Sequence, residues 1–321
     1  MARRNNNLNP TEINVVATDV IPDKLEFEDL LKYFLEDANL RNLRPHTITY
    51  YSNELISFRK TLDELGIETQ PSSITIDDIE EVILHMKDVK QSKIGAINTR
   101  LRAVRAFFNF AYKRNYISVN PCVSLKLLRD RRQVVETFSR DQLNKILKAP
   151  DLRTFVGVRD YTWMLLLLET GVRVSELVGI EVADIRWEDS MILIRKTKGH
   201  RERLVPFQAK MKAQLKKYLK IRGTCETDAL FVTLDSTPLS KRQIQNRLSA
   251  YGEEAKIKNV RCSPHTFRHT FAKLCVKQGA GIFELQQILG HTSMEMVRIY
   301  VNLFSDDVKD KHKEFSPLKY L

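Results

Sequence analysis

The sequence predicts a mainly α-helical protein with a small β-hairpin or sheet in its second domain, an α+β fold. Three observations predict this fold class. Apolar residues recur at helical spacing along most of the chain. One pair of short apolar runs flanks a polar turn, as in a β-hairpin. The length of 321 residues, with 43% hydrophobic residues, suffices for about two domains that each bury a core.

Four amphipathic helices are predicted in the N-terminal half. The Asn-rich residues 1–23 lack helical periodicity, so we expect a flexible extension there. A break at Arg44-Pro45 separates the first helix from the second, and Asn120-Pro121 ends the series, because proline disfavours helix at the residue before it. The helices follow apolar positions within residues 27–35, 48–65, 76–86 and 97–112. Together they predict an all-helical domain over residues 24–129.

The domain boundary is predicted at residues 130–136. The surrounding segment reads LLRDRRQVVE and is charged and poor in large apolar side chains, as interdomain linkers are. We therefore expect the second domain to occupy residues 137–321.

The second domain is predicted to contain one hairpin within a series of helices. Ser139 is a suitable N-cap for a helix through residue 147, and Gly171 ends a strongly apolar helix over 160–169. The hairpin strands are residues 191–194 and 204–207, around the polar turn 198–201. Later helices are predicted at 210–222, 241–256, 264–278, 283–289 and 294–302.

The positive charge is concentrated in two zones. The chain has 52 Lys and Arg against 40 Asp and Glu, a net charge of +12. Residues 1–88 carry a net charge of −8, whereas residues 89–129 hold 9 basic residues and no acidic one. Residues 195–222 hold 11 basic residues against Glu202 alone. Such zones favour binding to nucleic acid, although solvated helix faces are the alternative interpretation.

Several classes of protein are not supported by the sequence. No apolar run approaches the roughly 18 residues of a membrane span, and no apolar stretch follows the N-terminal arginines as in a secretory signal. The four cysteines are scattered without a CxxC pair, which supports neither a zinc site nor a disulfide framework. We expect a cytoplasmic protein without membrane contact.

A candidate oxyanion site lies at the start of the predicted helix 264–278. Ser263 is the predicted N-cap and Pro264 takes the first helical position. His265 and Arg268 are three residues apart, therefore on one face, near backbone N–H groups that also attract an anion. Downstream, a glycine turn presents His291, and Tyr300 follows nine residues later.

Each of these residues also has a simpler interpretation. A helical His beside an Arg is commonly a surface pair, and a His after Gly is often a turn residue. Tyr300 sits among apolar neighbours and could pack in a core. Arg173 could form a salt bridge with Glu176 at helical spacing.

The ordered motifs together resemble the tyrosine recombinases, the family of phage-type integrases and Xer-type resolvases. The motifs read TGVRVSEL, TKGHRERLVP, HTFRHTFA and LGH, followed by VRIYV, and the resemblance extends from Lys24 to the C-terminus. It implies a helical core-binding domain that clamps DNA, a linker and a catalytic domain. The catalytic residues that it implies are Arg173, Lys198, His265, Arg268, His291 and Tyr300.

The resemblance implies a metal-free cleavage of DNA. Tyr300 attacks the scissile phosphorus and forms a 3′-phosphotyrosine, while the guanidinium groups of Arg173 and Arg268 bind the non-bridging oxygens. His265 is the expected acceptor of the tyrosine proton, and Lys198 is suited to protonate the 5′-oxygen. The sequence has no acidic cluster that could hold Mg²⁺, which agrees with a metal-free mechanism, and we expect no cofactor.

The family resemblance also implies the partners. These are a double-stranded recombination site and a homotetramer that exchanges strands through a Holliday junction. The C-terminal residues Phe315, Pro317, Leu318 and Tyr320 form an apolar tail that docks either on a neighbouring subunit or on its own domain. The candidate DNA-binding residues are Arg44, Lys93, Arg100, Arg102, Lys241 and Arg242.

The biological role is less constrained than the chemistry. Residues 1–23 are too short for an added arm-binding domain, which favours an Xer-type resolvase or a recombinase of a transposon, plasmid or other mobile element over a large phage integrase. Two alternatives to recombination stay open at this point. One is a type IB topoisomerase that only relaxes supercoils, and the other is a DNA-binding regulator without catalysis.

Overall fold

The computed structural model describes residues 25–129, 136–195, 202–290 and Ser316. The chain forms two compact units that divide between Arg132 and Gln133. Within the described residues, no helix combines the length and apolar character needed to cross a membrane. Four predicted segments lie wholly or mostly outside the described residues. They are the extension 1–23, the linker except its last residue, the helix 294–302 and the C-terminal tail residues.

The first unit contains the four predicted helices. They are α1 (Phe27–Leu40), α2 (Pro45–Leu65), α3 (Ile76–Leu84) and α4 (Ile94–Lys113). Helix α2 packs on α1, α3 and α4, so the apolar stripes of the helices meet in one core. Five fully buried phenylalanines form much of that core: Phe27, Phe34, Phe58, Phe107 and Phe108.

The end of α3 differs from the prediction. The sequence pattern extends the helix to residue 86, but the chain changes to a π-helical turn over His85–Val89. In this turn the Lys90 N–H donates to the His85 carbonyl at 3.0 Å, an i→i−5 bond. Met86 within the turn is buried in the core of the unit.

The second unit is built around one buried helix. Its helices are α5 (Arg140–Lys148), α6 (Phe155–Thr170), α7 (Val174–Leu177), α8 (Ala209–Arg222), α9 (Lys241–Glu254), α10 (Pro264–Lys277) and α11 (Ile282–Leu289). Helix α6 contacts α8, α10 and α5, and its residues Trp163, Leu166 and Leu167 are fully buried. The apolar composition of α6 follows from this central position.

Helix α6 begins earlier than the sequence pattern indicates. It starts at Phe155 instead of residue 160, and the Gly157 N–H donates to the Thr154 hydroxyl cap at 3.0 Å. A Cβ at Gly157 would lie 1.9 Å from the Asp151 carbonyl oxygen, so the first turn requires a glycine. This glycine obscures the helical pattern in the sequence because glycine is a poor helix former.

The predicted hairpin is the larger part of a three-stranded antiparallel sheet. Strand β2 (Met191–Ile194) pairs with β3 (Arg203–Pro206), with Ile192 opposite Val205. A two-residue strand, β1 (Ile185–Arg186), adds to the other edge of β2. Two residues are too few to show an alternating pattern, which is why the sequence did not predict β1.

Candidate active site

The turn after α6 directs the chain towards the candidate site. Gly171 ends α6 with a φ of +60°, a left-handed conformation that favours glycine. A Cβ at this position would lie 2.3 Å from the Phe271 ring and 2.8 Å from the Leu289 side chain. Only a glycine fits, and the turn places Arg173 at the N-cap of α7.

Arg173 contacts both its own helix and the end of α11. Its Nη1 donates to Glu176 Oε1 at 2.9 Å, so the ion pair considered as an alternative interpretation is present. Nη1 also donates to the Leu289 carbonyl at 3.4 Å, and Nη2 donates to the Gly290 carbonyl at 3.3 Å. The guanidinium therefore lies beside the residues that precede His291.

Arg268 approaches the same carbonyls from α10. Ser263 caps this helix as predicted, since its hydroxyl accepts from the Thr266 N–H at 3.2 Å. The Arg268 residue is 4% exposed. Its Nη1 donates to the Gly171 carbonyl at 2.6 Å and its Nη2 to the Leu289 carbonyl at 2.7 Å. Because the Leu289 carbonyl accepts from both Arg173 and Arg268, the structure brings the two guanidinium groups together.

His265 lies one turn before Arg268 on α10. Partial burial of its imidazole lowers the pKa, and the positive charges of Arg268, Arg173 and Arg261 lower it further. The lowered pKa favours the neutral form of the imidazole, which is able to accept a proton. The ring of His269 stacks on the ring of His265, with the two ring centroids 6.5 Å apart. Burial lowers the pKa of His269 to about 4, and the charges of His265 and Arg268 contribute to this shift.

The other three predicted catalytic residues lie outside the described residues. They are Lys198, His291 and Tyr300. The described strands β2 and β3 flank the segment that contains Lys198. Helix α11 ends at Leu289, and Gly290, with a φ of +62°, directly precedes His291.

The sequence indicated Glu176 only as an ion-pair partner of Arg173, and it did not indicate Arg203 as a functional candidate. Glu176 is fully buried and joins Arg173 to Arg203, whose Nη2 donates to Glu176 Oε2 at 2.8 Å. These contacts, led by the hydrogen bond from Arg203, outweigh the effect of burial and lower the pKa of Glu176. A sequence signal for Arg203 existed, because strand alternation places it on the same face as the buried Val205. A charge on a buried strand face predicts a buried partner of opposite charge.

The candidate DNA-binding residues differ in their surroundings. Lys93 and Arg102 are exposed at the start and on the first half of α4, and Arg44 is the partly exposed N-cap of α2. Lys241 and Arg242 are exposed in the first turn of α9. In contrast, the Arg100 side chain is 13% exposed, and its Nε donates to Glu54 Oε2 at 2.9 Å. Arg100 could therefore contact DNA, as predicted, only if its ion pair with Glu54 breaks.

The two units match the sequence profiles of two related domains. Residues 136–306 match the profile of the Phage integrase family. Residues 31–115 match the N-terminal SAM-like domain of phage integrases. The matches follow the same order along the chain as the two compact units.

Similar proteins extend over most of the chain. A tyrosine recombinase XerC from Thermodesulfovibrio yellowstonii is 30% identical over 282 residues, which is 85% of this chain and 91% of the relative. A tyrosine recombinase XerC from Oceanobacillus iheyensis is 28% identical over 86% of this chain and 92% of the relative. The crystal structure of a lambda integrase tetramer bound to a Holliday junction shares the fold, with a TM-score of 0.73 and 17% identity, over 90% of this chain and 80% of that chain.

Proposed function

The chain belongs to the phage integrase family of tyrosine recombinases, and we propose that it cuts and rejoins DNA at a specific site with Tyr300 as the nucleophile. The main support for this proposal is that Arg173 and Arg268 both donate hydrogen bonds to the Leu289 carbonyl, beside His265, whose pKa is lowered by burial and by these arginines. Two planar guanidinium groups suit the two non-bridging oxygens of one phosphodiester.

The proposed reaction begins with attack of the Tyr300 oxygen on the scissile phosphorus. A 3′-phosphotyrosine forms, the bond to the 5′-oxygen breaks, and Lys198 donates a proton to that oxygen. His265 accepts the tyrosine proton, and His291 donates a hydrogen bond to a phosphate oxygen. The two arginines stabilise the negative charge that accumulates in the transition state. Because the phosphotyrosine conserves the ester bond, a free 5′-hydroxyl can reverse the step and rejoin the strand.

Both units are proposed to contact the DNA backbone. In the second unit, the exposed Lys241 and Arg242 occupy the first turn of α9, where the positive end of the helix dipole adds to their attraction for phosphate. In the first unit, Lys93 and Arg102 belong to the zone of residues 89–129, which has no acidic residue. Arg44 and Arg100 complete the proposed set.

The proposed assembly is a homotetramer that exchanges strands through a Holliday junction. The lambda integrase tetramer bound to a Holliday junction, which shares the fold, supports this assembly. The C-terminal tail with Phe315, Pro317, Leu318 and Tyr320 is the proposed docking segment, in cis or in trans. The proposed biological roles are resolution of DNA multimers, or transposon and plasmid recombination or integration.

The first experiment identifies the site and tests the cleavage. Purified protein is incubated with fragmented DNA of the source organism, and fragments that become covalently attached to protein are sequenced. A duplex of that sequence with a nick next to the cleavage position then loses the 5′-hydroxyl strand and traps the adduct. We expect an adduct with the wild-type protein and none with Tyr300→Phe or Arg173→Ala.

The outcomes separate three functions. Recombinant products from two sites support a recombinase. Adducts with supercoil relaxation but without pairing of sites indicate a topoisomerase instead. Tight binding to a sequenced site without any adduct indicates a regulator and contradicts the proposal.

A further inference from the structure

We infer that Arg203 is a positioning residue for the reaction, which holds Arg173 in place and keeps its positive charge available to the scissile phosphate. The inference rests on the proposed function, because it assigns Arg173 to that phosphate. Arg203 is the first residue of β3, and its side chain is 11% exposed.

Arg203 and Arg173 share both oxygens of one buried carboxylate. Glu176 Oε1 accepts from Arg173 Nη1 at 2.9 Å and from Arg203 Nη1 at 3.0 Å. Glu176 Oε2 accepts from the Arg173 backbone N–H at 2.9 Å and from Arg203 Nη2 at 2.8 Å. The Glu176 side chain is fully buried. Its position, and therefore that of Arg173, depends on the two parallel bonds from Arg203.

The charges of this cluster explain why a second arginine is needed. One carboxylate alone would neutralise Arg173 and compete with the phosphate for its N–H groups. With Arg203 also bound to Glu176, the three groups carry a net charge of +1. Removal of Arg203 leaves Glu176 paired with Arg173 alone, so the attraction of Arg173 for an anion decreases.

The same side chain also contacts the segment that precedes His291. Arg203 Nε donates to the Ile288 carbonyl at 2.8 Å. A Cβ at Gly290 would lie 2.8 Å from Arg203 Nη1, so the guanidinium packs directly against this glycine. Arg203 therefore joins β3, which follows the segment that contains Lys198, to the Arg173 turn and to the end of α11. These three elements adjoin three of the proposed catalytic residues.

The first test separates a defect at Arg173 from a loss of folding. Arg203→Gln and Arg203→Lys are compared with Arg247→Gln, because Arg247 likewise pairs with a fully buried carboxylate of this unit, that of Asp160 at 2.7 Å. The single-turnover rate of adduct formation is measured on the nicked substrate at saturating DNA. We expect a loss of about 100-fold for Arg203→Gln, a smaller loss for Arg203→Lys, and a change within about 3-fold for Arg247→Gln. Equal losses in Arg203→Gln and Arg247→Gln would overturn the inference.

The second test compares the Arg203→Gln defect on two substrates that differ in charge at the scissile position. If Arg203 only stabilised the fold, the defect would be the same on both. A methylphosphonate at the scissile position removes one negative charge and lowers the need for a guanidinium group. We expect the loss caused by Arg203→Gln to shrink about 10-fold on this substrate. A loss of the same size on both substrates contradicts a role through Arg173.

A third measurement does not require catalysis. The Nε–Hε resonance of Arg173 is assigned by its disappearance in Arg173→Lys and then followed by NMR. We expect it to shift in Arg203→Gln and to stay in place in Arg247→Gln. An unchanged resonance overturns the inference about Arg203. Absence of any adduct with wild-type protein instead overturns the proposed function, while the NMR result still decides the role of Arg203.

Discussion

Three guanidinium groups donate to three consecutive carbonyls at the end of α11. Arg203 binds the carbonyl of Ile288, Arg268 binds that of Leu289, and Arg173 reaches Leu289 and Gly290. The C-terminal end of a helix carries partial negative charge and unsatisfied carbonyls, so it can hold several arginines close together in spite of their mutual repulsion. This arrangement explains how positive charge is concentrated at the proposed phosphate site.

The sequence predicted part of this arrangement. The order of the motifs along the chain indicated Arg173, His265 and Arg268 as site candidates. The preference for serine at helix N-caps predicted the cap at Ser263. Arg203 and the bridging role of Glu176 were not predicted, because the ion pair between them joins residues 27 positions apart. Such a pair depends on the sheet register and on the turn at Gly171, which local patterns do not determine.

Arg173→Lys tests whether the reaction needs the planar guanidinium group of Arg173 rather than its positive charge alone. Lysine keeps the charge but cannot make two parallel hydrogen bonds to a phosphate. We expect the adduct-forming rate to fall by about 100-fold or more, with DNA affinity changed by less than about 10-fold. Single-turnover cleavage and a DNA-binding titration measure the two quantities. An equal loss in both would mean that Arg173 serves binding rather than the chemical step.

Protonation of His269 is expected to destabilise the fold in acid. Its pKa is about 4 in the folded protein and near 6.5 in the unfolded chain, so the unfolded chain takes up the proton first as the pH falls. The resulting loss of stability begins near pH 6.5 and amounts to about 1–2 kcal/mol at pH 5. The free energy of unfolding in urea at pH 7.5 and pH 5 measures it. In His269→Gln, we expect the unfolding free energy at pH 7.5 and that at pH 5 to differ by about 1–2 kcal/mol less than they do in the wild-type protein. If they differ by as much as in the wild type, His269 is not the source of the acid sensitivity.

Element ends, rather than element interiors, form the candidate site. The end of α6, the first turns of α10, the end of α11 and the start of β3 all contribute contacts. The positions of long helices such as α2 and α4 were predictable from apolar periodicity over many residues. In contrast, α7 and β1 have four and two residues, too few for a periodic signal.

Gly171→Ala is expected to disturb both the fold and the site. The variant combines a left-handed φ with a Cβ that would lie 2.3 Å from the Phe271 ring, so Phe271 or the Arg173 turn must move. Gly66→Ala is the matched control, because Gly66 has nearly the same backbone angles and no neighbour within 4 Å of the added Cβ.

The two alanine variants should therefore lose different amounts of unfolding free energy. We expect a loss of about 1 kcal/mol in unfolding free energy for Gly66→Ala and about 2–4 kcal/mol for Gly171→Ala. Denaturant titrations of both variants measure the difference. Equal losses would show that Phe271 adapts to the extra methyl group without cost.

Along the whole chain, the charged residues are concentrated in separate regions instead of being spread uniformly. The net charge of −8 over residues 1–88 contrasts with the nine basic residues of 89–129 and the eleven of 195–222. Composition therefore indicated the class of partner, nucleic acid, but not the residues in contact. The ion pair of Arg100 with Glu54 illustrates the limit, because a count of charges does not show which ones are already paired.

The salt dependence of DNA binding tests the proposed contacts of α9. Each phosphate contact contributes a slope of about −0.9 to the dependence of log K on log salt concentration. We expect Lys241→Gln with Arg242→Gln to make the slope less negative by about 2. Lys148→Gln, an exposed lysine of α5, is the control and should leave it unchanged. An unchanged slope in the double variant would exclude these two residues from the interface.

The most direct measurement of the central claim is peptide mapping of the trapped protein–DNA adduct. After trypsin and nuclease digestion, mass spectrometry should find the added nucleotide on the peptide of residues 299–309, whose single tyrosine is Tyr300. The attached strand should end in a 3′-phosphate linked to that tyrosine, with a free 5′-hydroxyl on the released strand. A nucleotide on another residue, or a 5′-phosphate linkage, would contradict the mechanism.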